Sequence, residues 1–435
     1  MKKQQLVFAS TFLFALGGNT LSLSLVFRLT DQFAFNPGQV GVYMALGQLS
    51  YFIGCNLYRR LASSIEPANV FPKAVVLVFL ASVPLGFARI QGLAYVTYWI
   101  LQLSAGFFWP PVTAWITGGL GGQELDRKIS AFNRTWMAGN ILGPLISGNL
   151  YHWNSVVNFL IISFCYFFAL FLLYLMKRQD GFRLRSISLR RLNMRSFSGF
   201  SGFSHRSRPE TREAPDSGNE TGMAPANTVQ AEISPASGTM DKRFDLYRYR
   251  GWIGSFSSNL VLGLLVNIVP LYIRDGLGFT ASVAGQVLFF RSAASFVGFI
   301  LLARFITWHF KRSWFIVLQA GLMLSVMFFL PAGNLLYLYY VVAVFYGFLY
   351  AGCNTNSLYY AGITGKYPKK NLALHEMILS LGNASGTFAG GLFYQHLRFT
   401  GTCLAFFLIL GIGMGLHVIL NRKEIRMMLH TNLPG

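Results

Sequence analysis

Residues 139–151 read GNILGPLISGNLY, and residues 382–394 read GNASGTFAGGLFY. Gly139, Asn140, Gly143, Gly148 and Tyr151 thus return as Gly382, Asn383, Gly386, Gly391 and Tyr394, each 243 positions later. Two further pieces recur at nearly that offset. Gly106, Phe107, Phe108 and Trp109 match Gly347, Phe348, Leu349 and Tyr350, while Asp31, Phe35, Gly41, Gly54 and Arg60 match Asp275, Phe279, Gly285, Gly298 and Arg304. The chain is a duplicated unit, and its copies lie in strongly apolar surroundings.

Of the 435 residues, 53% are hydrophobic, 16% aromatic and only 12% charged, and the mean hydropathy is +0.46. A soluble domain carries about 25% charged residues, so this is an integral membrane protein. Apolar runs of ~20 residues, enough to cross ~30 Å of hydrocarbon as helix, recur about twelve times. The expected fold is all-α, with twelve transmembrane helices in two pseudo-symmetric six-helix bundles. Residues 1–176 form the first bundle and 249–421 the second. Between them, 177–248 reads as a cytoplasmic linker, basic at first and then too poor in apolar residues to fold; 422–435 reads as a cytoplasmic tail.

The net charge of +21 is distributed in a way that excludes a nucleic-acid partner. The expected outer loops keep only Arg28, Arg89, Arg274 and Arg398, Arg291 falls inside a span, and all other Lys and Arg fall on inner segments. By the positive-inside rule both termini are cytoplasmic, and a bacterial inner membrane is the expected location. The basic first part of the linker suits either an anionic lipid surface, which would make membrane lipids a partner, or a solvated connector. Cys55, Cys165, Cys353 and Cys403 all fall within spans without CxxC spacing, so neither a metal nor a disulfide is expected. No P-loop, GxSxG or HExxH pattern is present, and no cofactor and no enzymatic activity are expected.

Local motifs carry a resemblance. In the fifth span, Gly139, Gly143, Pro144, Ser147 and Gly148 resemble the GxxxGPxxGG signature of the major facilitator superfamily, with Ser147 in place of one Gly. After the second span, Gly54, Leu57, Tyr58, Arg59 and Arg60 are similar to the start of that family's GxLaDRxGRR loop, with Tyr58 in place of the acid. Gln102 stands where the family's intramembrane arginine of the fourth span aligns. The resemblance implies two bundles rocking about a site at mid-membrane, lined by the first, fourth, seventh and tenth spans.

Polar residues in those spans are the candidate substrate contacts: Asn19, Gln102, Asn267 and Asn356, with Trp109 and Tyr350 as aromatic walls. Arg291 lies about eleven residues into the eighth span, hence ~15 Å deep at 1.5 Å per residue. A guanidinium at that depth suits a carboxylate or phosphate group, because it offers a planar fork of donors. Its alternative role is an internal pair with helix carbonyls or with Glu376. Among the acids only Glu376 enters a span, beside His375, so these two are the candidate proton carriers. An Arg134–Glu376 pair is the candidate inner gate; Arg28 with Asp275, or Asp31 with Arg274, is the candidate outer latch. Bland readings stand beside these: inter-helix hydrogen bonding for the amides, and helix-end charges for Arg28 and Arg274.

The expected function is secondary or facilitative transport of a small organic solute, with an anion favoured by Arg291 and protons as the candidate coupling ion. The expected oligomeric state is a monomer. Two alternatives remain at this point, an efflux antiporter for amphipathic compounds and a transporter-fold sensor acting through the linker.

Overall fold

The computed structural model describes residues 3–118, 120, 122–151, 155–179, 239–304, 311–333, 335–363 and 368–431. The linker from 180 to 238 lies outside the described residues, and so do the expectations placed on it.

Every regular element among the described residues is helical. Helix α1 spans Lys3–Asp31 and α2 spans Pro37–Leu61. The start of α2 is fixed by reciprocal capping: Asn36 Oδ1 accepts the Gln39 N–H at 2.9 Å, Gln39 Oε1 accepts the Asn36 N–H at 3.0 Å, and Pro37 occupies the first turn, where no donor is missed. After α3 (Pro67–Phe87), the expected fourth span divides into α4 (Gln91–Ala105) and α5 (Trp109–Thr117). Pro110 and Pro111 remove two consecutive backbone donors, so the carbonyls one turn earlier lose their partners and the ladder breaks. Helices α6 (Gly122–Leu150) and α7 (Ser155–Arg178) complete the first half.

The second half opens with α8 (Thr239–Asn267), the short α9 (Val269–Leu271) and a π turn over Tyr272–Gly276. Pro270 again supplies the break. Then follow α10 (Ala281–Leu302), α11 (Ser313–Met327), α12 (Leu336–Ile363) and α13 (Pro368–Thr431). Helix α13 is two helices meeting at Arg398, whose φ of 57° and ψ of −179° are non-helical. Among the described residues, eight helices are long and apolar enough to cross a membrane, with α13 taken as one. The polar opening turns of α6, the break between α4 and α5, and the shortness of α11 place the other expected spans outside that group. Two bounds differ from expectation: α8 begins ahead of the expected boundary at 249, and α13 runs through most of the expected tail.

The duplication is written into the packing. A Cβ at Gly139 would stand 2.5 Å from the Phe12 carbonyl oxygen of α1, and one at Gly382 would stand 2.5 Å from that of Phe256 in α8. Each half therefore crosses its first helix over its fifth at the same glycine of the repeat, where only a bare backbone fits. Between the halves the match is reciprocal. Gly41 of α2 meets Gly391 of α13, with a Cβ on Gly41 only 2.9 Å from the Gly391 Cα; Gly285 of α10 meets Gly148 of α6, at 3.2 Å by the same measure. Gly41 and Gly285 are repeat equivalents, as are Gly391 and Gly148. One contact is thus the image of the other about a pseudo-two-fold axis.

Glu424 does not behave as an acid of a solvated tail. It is 1% exposed, binds Arg250 Nη1 at 2.9 Å and accepts the Tyr247 hydroxyl at 2.7 Å. Arg250, itself fully buried, donates to the Arg312 carbonyl at 2.8 Å and lies 4.6 Å from the centre of the Phe315 ring. The cluster ties α8, α11 and the end of α13 together. Removing one partner of such a pair leaves the other buried without counter-charge, which costs about 3–5 kcal/mol. Glu424→Ala is expected to lower the unfolding temperature in detergent sharply, with Glu424→Gln intermediate because the amide still accepts the Tyr247 hydroxyl. An unchanged melting temperature for the alanine variant would refute the clamp.

Candidate functional site

Polar side chains of both halves converge on a central cavity of about 250 Å³. From the first half, α1 contributes Asn19 and Ser22, α2 contributes Gln48 and Tyr51, α4 contributes Tyr98 and Gln102, α5 contributes Trp109, α6 contributes Asn140 and α7 contributes Tyr166. From the second half come Asn259 of α8, Arg291 of α10, Tyr350 of α12, and Glu376, Ser380 and Asn383 of α13. Arg291 and Glu376 are the two charged residues of this lining.

Arg291 is 3% exposed. Its Nη2 donates to Ser292 Oγ at 2.6 Å, and its Nε has no acceptor. No carboxylate pairs with it among the described residues, and so the alternative of an internal pair with Glu376 is not what the structure shows. Glu376 is turned to another neighbour: its Oε2 accepts the Tyr51 hydroxyl at 2.7 Å. Tyr51 belongs to the first half and Glu376 to the second, so this bond bridges the halves at the cavity wall. Ser380 Oγ reinforces the bridge by donating to the Gln48 carbonyl at 2.5 Å.

One side of the cavity is closed by charge and glycine. Arg274 Nη1 meets Asp31 at 3.0 Å, Tyr151 donates to the same carboxylate at 2.9 Å, and Arg274 also binds Asp275 at 2.6 Å and lies 4.6 Å from the centre of the Phe27 ring. The Gly41–Gly391 contact lies on this side. The opposite side is closed by apolar groups: Tyr58 and Ala62 against Ala373, and Ala114 and Ile129 against Leu358, Ala361 and Leu372.

Several sequence-based expectations are corrected. Asn267 is buried, donating to Thr387 Oγ1 at 2.8 Å, and Asn356 is 1% exposed; neither lines the cavity. His375 is 2% exposed and its Nδ1 lies 2.7 Å from Ser357 Oγ, because consecutive helix residues point about 100° apart and only Glu376 reaches the cavity. Arg134 is exposed, donates to the Ser130 carbonyl and does not pair with Glu376; the repeat offset puts buried Asn133, one position away, at the equivalent place. Arg28 is not a latch to Asp275. It donates to the carbonyls of Leu85, Gly86 and Ala88 at 2.6–3.0 Å and lies 4.6 Å from the centre of the Phe159 ring, satisfying the unpaired end of α3.

Tyr51, Gln48, Tyr98, Asn140 and Asn383 were not singled out as site residues from sequence. A signal for the last two existed. Each follows the repeat glycine that packs on its neighbouring helix, so each must point about 100° away from that contact, toward the cavity.

The family model described as Major Facilitator Superfamily matches residues 7–371. The chain belongs to the major facilitator superfamily. It is a multi-pass membrane transporter of a small solute, and not an enzyme. Among solved structures it is similar to the human organic anion transporter MFSD10 (TETRAN), with a TM-score of 0.64 and 14% identity over 95% of this chain and 98% of that one. It is also similar to a bacterial homologue of the human lysosomal transporter Spinster, solved inward-facing and unoccupied, with a TM-score of 0.61 and 13% identity over 98% of each chain. At these identities the likeness is one of fold. No curated protein matches the sequence.

Proposed function

We propose that this transporter carries a small organic anion by alternating access, with Arg291 as the counter-ion and Glu376 as the coupling carboxyl. The observation that carries the reading is the Arg291 guanidinium, buried in the cavity wall with one hydroxyl partner and no acid. Such a fork of donors is complete only when an anion occupies it. MFSD10, which this chain resembles in fold, is an organic anion transporter, which agrees with this choice. A cavity of about 250 Å³ is smaller than the roughly 300–1,000 Å³ of sites for drug-sized ligands, which speaks against amphipathic efflux substrates.

Residues 1–176 and 249–421 are the moving halves, with both termini cytoplasmic in a bacterial inner membrane. The outer side is latched by Asp31 and Arg274, and the inner side is held by apolar contacts. With Glu376 ionised, the two lining charges offset each other; with a proton on it, Arg291 is left to an anion. The same proton weakens the Tyr51 bridge, since a hydrogen bond to a neutral carboxyl is about half as strong as one to a carboxylate. Proton and anion therefore load together and loosen the same cross-half contact.

The test is transport in proteoliposomes with the full chain, using a panel of labelled organic monoanions, sugars and amphipathic cations, with and without a pH gradient. Anions alone are expected to accumulate, and only with the gradient. Glu376→Gln is expected to keep anion exchange at equal pH but to lose gradient-driven accumulation by about tenfold or more, as one proton site is removed. Full accumulation by Glu376→Gln would remove the carboxyl from the coupling, and accumulation of cations or sugars instead would remove the anion reading.

A further inference from the structure

Once the bonds within the cavity wall are assigned, the wall has an unusual balance of hydrogen-bonding groups. Asn19 donates to the Asn140 side-chain oxygen Oδ1 and to the Ala15 backbone carbonyl, which leaves the Asn19 side-chain oxygen and the Asn140 NH₂ without partners among the described residues. Gln102 donates to the Tyr98 hydroxyl at 2.9 Å, leaving its oxygen. Asn383 accepts from Thr387 at 3.2 Å, leaving its NH₂. The Gln48 side chain has no hydrogen bond among the described residues and offers both a donor and an acceptor.

Donors and acceptors are thus both left open on the wall, while its positive charge is confined to Arg291 in the second half. A carboxylate only accepts and an ammonium only donates; a hydroxyl does both and is the group that satisfies such a mixed wall. The rings of Trp109, Tyr98 and Tyr166 stand in the same first-half wall and give it an apolar border against which the C–H groups of a saturated ring can pack.

We infer that the substrate is a compact polyhydroxylated monocarboxylate, a sugar acid of monosaccharide size, with its carboxylate on Arg291 and its hydroxyls on the first-half amides Asn19, Gln48, Gln102 and Asn140. This rests on the anion reading and narrows it. The size follows from the 250 Å³ cavity, and the orientation from the lining's positive charge lying in the second half while four of the five open amides, Asn19, Gln48, Gln102 and Asn140, lie in the first.

The test is equilibrium exchange in proteoliposomes of the full chain at equal pH, which needs neither a known direction nor a known coupling ion. Labelled glucuronate is the probe; cyclohexanecarboxylate, a ring acid without hydroxyls, and glucose, a ring polyol without the acid, are the competitors. Both competitors are expected to be at least about a hundredfold weaker than unlabelled glucuronate, because each leaves buried polar groups unpaired. Gln102→Leu is expected to weaken glucuronate about tenfold, the loss of one good hydrogen bond, and to leave cyclohexanecarboxylate unchanged. Equal competition by cyclohexanecarboxylate would overturn the hydroxyl assignment and leave the anion reading standing. Equal competition by glucose would overturn both, and absence of glucuronate exchange would overturn the sugar-acid class.

Discussion

Arg291→Gln is expected to reduce anion exchange by about a hundredfold or more while leaving the protein as stable as before, or more so. The two effects have one cause. In the loaded carrier the guanidinium is the counter-charge of a buried anion, and truncating one member of such a pair costs about 2–5 kcal/mol, with each 1.4 kcal/mol worth tenfold in affinity. In the empty carrier the same charge is 3% exposed with Ser292 as its hydrogen-bonding partner, so its burial is a cost to folding that a neutral amide relieves. A structural arginine would give the opposite pattern, with stability lost first. Arg291→Lys keeps the charge but not the planar fork, and is expected to fall between the two. Exchange within twofold of wild type for the glutamine variant, or a large fall in its melting temperature, would refute the counter-ion role.

Gly391→Ala is expected to disable closure of the side latched by Asp31 and Arg274. The added Cβ would stand 2.6 Å from the Pro37 carbonyl oxygen and 2.8 Å from the Gly41 Cα, and both are backbone atoms that yield only if α2 and α13 separate. Overpacking of this kind costs about 1–3 kcal/mol, which shifts a two-state balance roughly 5–150-fold toward the opened arrangement. Gly148→Ala is the repeat-related change, with its Cβ 2.8 Å from the Ala281 carbonyl oxygen, and is expected to give the same phenotype. The control is Gly415→Ala, beyond the Arg398 break in the second helix of α13, where a Cβ meets nothing within 4 Å. Spin labels at exposed Ile90 and Leu335, one in each half, report the opening as a longer distance, and exchange reports its consequence. Unaltered distances in both glycine variants would show that these contacts do not govern closure.

How much of this was legible beforehand varies with the residue. The glycines were plain in the sequence because an absent side chain recurring at a fixed offset needs no orientation to be noticed. Arg291 and Glu376 stood out as charges within apolar runs. Arg28 was misassigned because its partners are backbone carbonyls of α3, which no side-chain pattern announces. Asn267 and Asn356 were grouped with Asn19 for sharing cavity-lining helices, yet their azimuths turn them into helix contacts. Arg250 and Glu424 are far apart in sequence, and each resembled an ordinary charge at a membrane surface until the fold brought them within 2.9 Å.

The amino-acid sequence by itself determined that this chain is helical, membrane-spanning and duplicated, since hydropathy, run length and the 243-residue repeat are properties of the order of residues alone. The tertiary structure decided which amides face the cavity, that the cavity arginine has no acid beside it among the described residues, and which acid bridges the halves. The reason is that lipid and protein interior are both apolar: a helix turned toward either has the same composition, so its rotation is set by close packing against neighbours and not by a polar face.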